Sequence, residues 1–322
     1  MRRHLMALLF CGAMSAVAAP QETVSIAFVG DLMLAETPGQ RIRKGEDPVA
    51  PFAPLLDRAD IRIANLECVI ASNGRAIPGK PYAFRAAPRT LKVVQRHFDA
   101  VSLANNHSGD FGPAAFAQML SRLEGAGVAY FGGGRDLRAA HAPLIVERHG
   151  LRIAFLGYNE FAPRSFEAGE DWPGIAWSED EQVRHDIEQA RTRHRADLVI
   201  PFMHWGWENE TVSNARQRHL ARLMIDAGAD AVVGSHPHVT QETASYRGRP
   251  IIYSLGNFVF DGFSSPENNT AWVLRLEANR QGIQRWRIAV GRIDRHGTPH
   301  PLKRDPGLCW EAGMEAGAPC RN

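Results

Sequence analysis

The stretch ADAVVGSHPH, residues 229–238, reads as a buried strand that ends in two histidines on either side of a proline. Six other runs have the same apolar character, at residues 23–30, 61–67, 98–105, 128–133, 151–158 and 196–204. Apolar runs of this length, separated by helical segments, are typical of buried strands in α/β proteins. The sequence therefore predicts an α/β fold.

Helix signals lie between several of these strands. Pro113 opens an alanine-rich segment that Gly127 closes, as expected for proline in a first turn and glycine past a helix end. Ser178 and Glu181 form a capping-box pattern before a second helix. Ser213 is predicted to open a third.

Two glycine-containing turns, His149-Gly150 and Arg247-Gly248, each join a pair of strand-like runs and predict hairpins. Residues 270–294 also read as antiparallel strands. Hairpins within a β–α alternation predict mixed sheets rather than a purely doubly wound sheet.

The composition is that of a globular protein with a sizeable core. The 322 residues are 44% hydrophobic and 22% charged, with a net charge of +2. No dense block of lysine and arginine occurs, so we expect no nucleic-acid partner.

Residues 1–19 read as a signal peptide. Arg2 and Arg3 precede an apolar run that ends in the small-residue pattern Ala16-Val17-Ala18. An uncleaved membrane anchor is the alternative. We expect cleavage near Ala18 or Ala19 and an exported protein, either periplasmic or at the cell surface.

Three cysteines remain after such cleavage. In an oxidising compartment Cys309 and Cys320 could close a short loop, whereas Cys68 lies in an apolar run and reads as a buried hydrophobe. Residues 20–296 are predicted to form one domain, and residues 297–322 a peripheral tail rich in proline and glycine.

Polar side chains that bind metals or move protons follow nearly every buried run. Ten of them are candidate site residues: Asp31, Asn65, Glu67, Asn106, His107, His204, Glu208, His236, His238 and Asn257. Sites in open α/β sheets lie beyond the carboxyl ends of the strands, so these residues are predicted to converge. Carboxylates, an amide oxygen and imidazoles suit Mn, Zn or Fe, and we predict one or two such divalent ions per chain. Each residue alone also has a structural interpretation, but agreement among five strand ends favours the metal site.

Six motifs occur in order along the chain: GDLML (30–34), NLE (65–67), NNH (105–107), HWGWE (204–208), GSHPH (234–238) and SLGNF (254–258). This series resembles that of the CapA family, the poly-γ-glutamate capsule-synthesis proteins, which are similar in fold to calcineurin-like metallophosphoesterases. The resemblance covers about residues 24 to 262. It implies a four-layer α/β/β/α sandwich of mixed sheets with the site at the strand ends.

The resemblance also implies roles. Asp31 and His238 match ligands of a first metal, Glu67 a bridging ligand, Asn106, His204 and His236 ligands of a second metal, and His107 a general acid. Asn65, Glu208 and Asn257 are interpreted as substrate contacts.

One position departs from the phosphoesterase pattern. Met33 stands where those enzymes have a histidine, and a thioether is a poor ligand for a hard cation. The first ion would then keep Asp31, Glu67 and His238, with Glu208 as a further source of oxygen.

Two functions follow as hypotheses. The first is a metal-dependent hydrolase or transferase acting on an exported anionic polymer or a phosphoester. The second is a non-catalytic component that binds and guides a capsule-type polymer, with membrane-bound capsule machinery as a partner. Lys80, Tyr82 and Phe84 of the segment KPYAF are interpreted as a solvated loop in preference to a contact for the anionic chain.

Overall fold

The structure is a computed structural model that describes residues 22–164, 166–304 and 307–321. The predicted signal peptide, residues 1–19, lies outside these residues. None of the helices in the described ranges is long and apolar enough to cross a membrane.

Strands and helices alternate through most of the chain. The strands are β1 (Val24–Leu32), β2 (Ile61–Leu66), β3 (Val69–Ile70), β4 (Arg85–Ala86), β5 (Ala100–Ser102), β6 (Ala129–Phe131), β7 (Gly133–Gly134), β8 (Leu144–Arg148), β9 (Leu151–Asn159), β10 (Gly174–Ile175), β11 (Leu198–His204), β12 (Val232–Ser235), β13 (Thr243–Tyr246), β14 (Arg249–Ile252), β15 (Asn257–Val259), β16 (Thr270–Asn279), β17 (Gly282–Ile293), β18 (Pro299–Pro301), β19 (Leu308–Glu311) and β20 (Ala318–Pro319). The α-helices are α1 (Glu36–Arg43), α2 (Ala53–Leu56), α3 (Leu91–His97), α4 (Pro113–Ala126), α5 (Leu137–His141), α6 (Asp180–Thr192) and α7 (Ala215–Asp226). Short 3-10 helices cover Ala50–Phe52 and Pro88–Thr90.

Two large mixed sheets form the centre of the fold. The first has the order β20-β19-β17-β16-β1-β2-β5-β6, with β15 also paired to β1 and β18 to β17. The second has the order β13-β14-β12-β11-β9-β8. Within each sheet, a parallel centre is extended by antiparallel hairpins. The mixed α/β prediction is confirmed.

The alternation of side chains along the strands separates three apolar clusters. On β1, Ile26 and Phe28 face the second sheet, whereas Ala27 and Val29 face helices that include α4. The second sheet has the same arrangement, with one face against the first sheet and the other against α6 and α7. Because both faces of each sheet are covered, the central strands read as continuous apolar runs. The order of layers is helix, sheet, sheet, helix, which confirms the four-layer sandwich.

All seven predicted strands and both hairpin turns are present, and α4 runs from Pro113 to Ala126 with Gly127 as its C-cap. The two predicted helix caps are wrong. The helix after Ser178 begins at Asp180 without a side-chain cap, and the Ser178 hydroxyl instead donates to the carbonyl of Asn159. The cap of α7 is Asn214, not Ser213, because the Ser213 hydroxyl donates to Glu242.

Residues after Gly297 extend the first sheet. Strand β19 pairs with β17 and places Trp310, which is fully buried, in the core between the two sheets. A disulfide joins Cys309 to Cys320, a pairing that the sequence left open, and Cys68 is a buried free thiol, as predicted. The tail is therefore part of a sheet edge as well as a disulfide loop.

The turn before β15 lies directly against β1. The backbone N–H of Asp31 donates to the carbonyl of Gly256 at 3.1 Å. A Cβ atom at Gly30 would lie 1.8 Å from that same carbonyl oxygen, so only glycine permits this approach. This contact fixes Asp31 relative to the residues that follow the second sheet.

Candidate metal centre

The candidate ligands meet because neighbouring strands end at the same edge. Asp31 is in register with Asn65 on β2 and with Asn257 on β15. On the second sheet, His204 at the end of β11 is in register with Ser235, the residue before His236. The backbone N–H of His236 donates to Asp31 at 3.3 Å, which links the two sheets at this edge.

The two histidines around Pro237 have an unusual backbone conformation. His236 has φ of 102° and His238 has φ of 58°, in a region that non-glycine residues rarely adopt. Such residues cost on the order of 1–3 kcal/mol each and cluster at functional sites. The loop therefore places both imidazoles in the site at the expense of local stability.

Two adjacent groups of side chains could each hold a metal ion. One group is Glu67, His204 and His236, and the other is Asp31, Glu67 and His238. Within each group the ligand atoms lie within 4.8 Å of one another, and every member is buried. Glu67 belongs to both groups, as expected for a carboxylate that bridges two metal ions.

Glu67 provides the test of whether a cation fits. The residue is fully buried, and neither carboxylate oxygen has a hydrogen-bond partner among the described residues. Burial, and then the neighbouring Asp31, raise the pKa of Glu67 well above its ordinary value. A buried carboxylate without partners is costly unless a cation neutralises it, so the residues present fit a metal ion.

Two of the three imidazoles, His204 and His236, have the protonation state that metal binding requires. Burial lowers the pKa of His204 to about 3 and that of His236 well below its ordinary value, so both rings are neutral. Burial also acts to lower the pKa of His238, but the hydrogen bond and charge of Asp31 outweigh it and raise that pKa. Burial acts to raise the pKa of Asp31, but the hydrogen bond with His238 outweighs it and holds that pKa at about 2.

Asn106 adds an amide oxygen to the first of these groups. Its Oδ1 lies 2.8 Å from His204 Nε2, and His236 Nδ1 lies 3.0 Å from the same nitrogen. Glu67 Oε1 is 3.8 Å from His204 Nε2. Asn106, His236 and Glu67 thus each have a ligand atom within 3.8 Å of His204 Nε2, and these four residues are the ones that the family resemblance assigns to the second metal.

Asn65 and Asn257 are almost fully buried, and their contacts are with the ligands. The amide of Asn65 donates to Asp31 at 2.8 Å and lies 3.1 Å from His204 Nδ1. His238 Nδ1 donates to Asn257 Oδ1 at 2.8 Å, which leaves Nε2 as the ligand atom, 3.9 Å from Glu67 Oε1. Asn65 and Asn257 therefore orient candidate metal ligands, whereas the sequence analysis interpreted both residues as substrate contacts.

His107 forms a dyad with Asp110, a residue that the sequence analysis missed. His107 Nδ1 donates to Asp110 Oδ2 at 2.7 Å, and Nε2 lies 3.8 Å from Glu67 Oε1. Burial lowers the pKa of His107, although Asp110 acts against this shift. A neutral ring with its Nδ1 proton held by Asp110 presents Nε2 to the site, where it can exchange a proton. The spacing of three residues was the available signal for this pair.

The loop that contains Lys80 is more than a solvated segment. Lys80 forms an ion pair with Asp110 and donates to the carbonyl of Asn106 at 2.5 Å. Phe84 is buried, and its ring centroid lies 4.4 Å from that of His107, whereas Tyr82 is exposed. The solvated-loop interpretation is therefore wrong for Lys80 and Phe84 and holds for Tyr82.

Met33 and Glu208 do not enter either ligand group. Met33 is buried, and its sulfur accepts the backbone N–H of Ala35 at 3.2 Å. Glu208 is exposed, and its charge acts on Glu67 and His238 from a distance. The group around Asp31 thus consists of three protein ligands.

A cavity of about 340 Å³ adjoins this centre at Asn106. Its lining residues include Lys80, Asn159, Phe161 and Trp177. The Phe161 ring also packs on His236, with centroids 4.2 Å apart.

A four-layer α/β/β/α sandwich with paired ligand groups at the strand ends defines a metallophosphoesterase-like protein. Within that class, the chain belongs to the bacterial capsule synthesis protein family PGA_cap, whose model matches residues 25–262.

Two sequence relatives, both named CapA, agree with this assignment. The chain is 32% identical over 291 residues to the PGA biosynthesis protein CapA of Bacillus subtilis, covering 88% of this chain and 75% of that protein. It is 31% identical over 271 residues to the capsule biosynthesis protein CapA of Bacillus anthracis, covering 81% and 66%. Among solved structures, the sulfate thiohydrolase SoxB of Thermus thermophilus aligns with a TM-score of 0.48 at 12% identity, covering 86% of this chain and 57% of that one.

Proposed function

We propose that this protein is an exported metal-dependent hydrolase or transferase that acts on an anionic capsule-type polymer or a phosphoester. The observation that carries the proposal is Glu67, a buried carboxylate shared by two ligand groups and without a hydrogen-bond partner in the described chain. The names of the relatives, which concern capsule and PGA biosynthesis, support the polymer as substrate.

The chain's own residues would have separate tasks. Asp31, Glu67, Asn106, His204, His236 and His238 would hold one or two ions of Mn, Zn or Fe. Such an ion would polarise a carbonyl or phosphoryl oxygen and lower the pKa of bound water.

His107 would transfer the proton. Its Nε2 faces the ligand groups, and Asp110 fixes the orientation of the ring. Because its pKa is lowered, the ring must take up a proton before it can deliver one to a leaving group. Lys80 holds Asp110 from the side of the cavity and thereby supports this orientation.

The first experiment is elemental analysis of purified protein, followed by assays against poly-γ-glutamate and a generic phosphodiester. We expect bound Mn, Zn or Fe and turnover of one substrate. The His236→Ala variant should lose metal and turnover, and the matched His219→Ala variant, altered at an exposed histidine of α7, should keep both. Wild-type protein that binds none of these metals would refute the proposal.

Met33 supports a second candidate, a non-catalytic component that binds and guides a surface polymer together with membrane-bound capsule machinery. With Met33 buried and bonded to Ala35, the group around Asp31 has three ligands and would bind its ion weakly. Polymer binding without turnover, in protein that holds at most one ion, would favour this candidate.

Export is tested by the intact mass of protein from the exported fraction. We expect a mass that begins after Ala18 or Ala19. Retention of residues 1–18 would contradict the cleaved signal peptide.

A further inference from the structure

The outer face of the first sheet carries a cluster of arginines near its tail edge, away from the metal-ligand groups in sequence. A groove of about 660 Å³ lies here, over β16, β17, β19 and β20. Its charged lining residues are Arg275, Arg285, Arg287, Arg321, Glu277 and Glu311. Four arginines and two glutamates leave a net charge of +2 among the described residues.

The strand register forces two of the arginines together. Arg275 on β16 lies directly opposite Arg287 on β17, and like charges in that arrangement destabilise a sheet. Arg275 is compensated by Glu277 at 2.9 Å, and Arg285 by the same glutamate at 2.5 Å. One carboxylate therefore serves two guanidinium groups.

Arg287 has no carboxylate partner within the residues that the structure describes. Its Nε lies 3.4 Å from both sulfurs of the Cys309–Cys320 disulfide, which are weak acceptors. Arg321, the residue after that disulfide, lines the same groove and is exposed. Both guanidinium groups are thus available to an external anion.

The surface under these side chains is rigid. Trp286 and Trp310 face the core from the opposite side of β17 and β19, and the disulfide closes the edge. Because the strands already hold the backbone of these arginines in place, binding has to order only their side chains.

We propose that this arginine face is a secondary binding surface for a polymer that carries regularly spaced carboxylates. Arg275 and Arg287 lie one strand apart, about 4.8 Å, and Arg285 and Arg287 lie two residues apart, roughly 7 Å. A single carboxylate can contact one or two of these groups, but a chain of carboxylates contacts several at once, which multiplies its affinity. The choice of a carboxylate polymer rests on the proposed function, whereas the site itself shares no residue with the metal centre.

The test measures binding of fluorescently labelled poly-γ-glutamate by anisotropy, with chains of increasing length and with free glutamate as competitor. We expect affinity to rise with chain length and to fall with added salt. The double variant Arg275→Ala/Arg287→Ala should bind roughly fivefold more weakly or worse. The Arg275→Lys/Arg287→Lys variant, which keeps the charge, should recover part of the loss.

The matched control is Arg184→Ala/Arg247→Ala, which removes two exposed arginines elsewhere. Equal weakening in that control, or wild-type affinity in the Arg275→Ala/Arg287→Ala protein, would overturn the proposal. Arg287→Gln serves as a milder variant if thermal melting shows that the double variant does not fold.

Removal of metal separates this proposal from the proposed function. In EDTA the wild-type protein should still bind the polymer more tightly than the Arg275→Ala/Arg287→Ala variant does, by the same factor as in the presence of metal. If the two proteins bind the polymer equally in EDTA, the polymer is held at the metal centre and the arginine face is refuted. If wild-type protein binds the polymer at the arginine face but turns over nothing, the enzymatic proposal fails alone.

Discussion

Replacing Glu67 with glutamine should make the metal-free protein more stable and the metal-loaded protein less so. Glu67 is fully buried with no hydrogen-bond partner for either oxygen in the described chain, and burial raises its pKa well above the ordinary value. A buried polar group left without partners costs about 1–3 kcal/mol. A glutamine amide does not have to be held protonated against its ordinary pKa, as the buried carboxyl does, and it can donate to Asp31.

We take about 2 kcal/mol as the gain for Glu67→Gln, which corresponds to a rise in Tm of roughly 4 °C in chelator. In wild type, metal at a hundredfold excess over its Kd adds about 2.7 kcal/mol by mass action. The variant lacks the shared ligand of both groups and should lose most of that gain. The order of the two melting temperatures should therefore reverse between chelator and metal.

Differential scanning calorimetry in EDTA, and then in Mn or Zn, measures both effects. Glu181→Gln is the control, since that carboxylate is on the surface of α6 with 86% of its side chain exposed. A Glu67→Gln protein that melts below wild type in EDTA, yet keeps the full shift on adding metal, would refute the argument that Glu67 is an uncompensated metal ligand.

Three further predictions concern other residues. His236→Ala should lose the metal-dependent part of the melting temperature, because its Nδ1 is one of the converging ligand atoms. Asn106→Ala should lose metal and activity, whereas His107→Ala should keep metal and lower turnover on the order of 10²–10⁴-fold, as measured by metal content and rate. Asp47→Asn should cost about 1 kcal/mol at pH 7, measured by urea unfolding, and the cost should shrink below about pH 4. Burial acts to raise the pKa of Asp47, but the hydrogen bond from His97 outweighs it and lowers that pKa. The carboxylate therefore stabilises the folded protein at any pH above the pKa of Asp47 in the unfolded chain. This stabilisation is lost as the pH falls through the pKa of Asp47 in the folded protein.

Each of these has a contrary outcome. An equal metal-induced shift in wild type and His236→Ala would show that this histidine is not a ligand. A His107→Ala protein with wild-type turnover would make His107 structural and shift the balance towards the polymer-binding function. A cost for Asp47→Asn that stays constant down to pH 3 would mean that packing, not charge, accounts for the effect.

The strands and the candidate ligands could be predicted from the sequence because both follow local rules. A strand that is covered on both faces can be recognised from its apolar run alone. A polar residue at the end of such a strand can be assigned to the site because the carboxyl ends of neighbouring parallel strands meet at one edge of the sheet. The same reasoning could not predict the tasks of Asn65 and Asn257, since these depend on which strand pairs with β1 and in what register. The ion pair between Lys80 and Asp110 could not be predicted for a related reason. It joins two irregular loops, thirty positions apart in the sequence, and such loops carry no periodic signal.

The close approach of Gly30 to Gly256 has a consequence for the order of events during synthesis. Asp31 belongs to the first strand, but its backbone is bonded to a residue 225 positions later in the chain. A nascent chain cannot complete the metal centre until that turn has emerged and docked, so an N-terminal fragment that stops before residue 256 should bind metal poorly even though it contains all six predicted ligands. Metal uptake would then be among the last steps of maturation, and the metal content of a preparation would report the fraction of molecules that have finished folding.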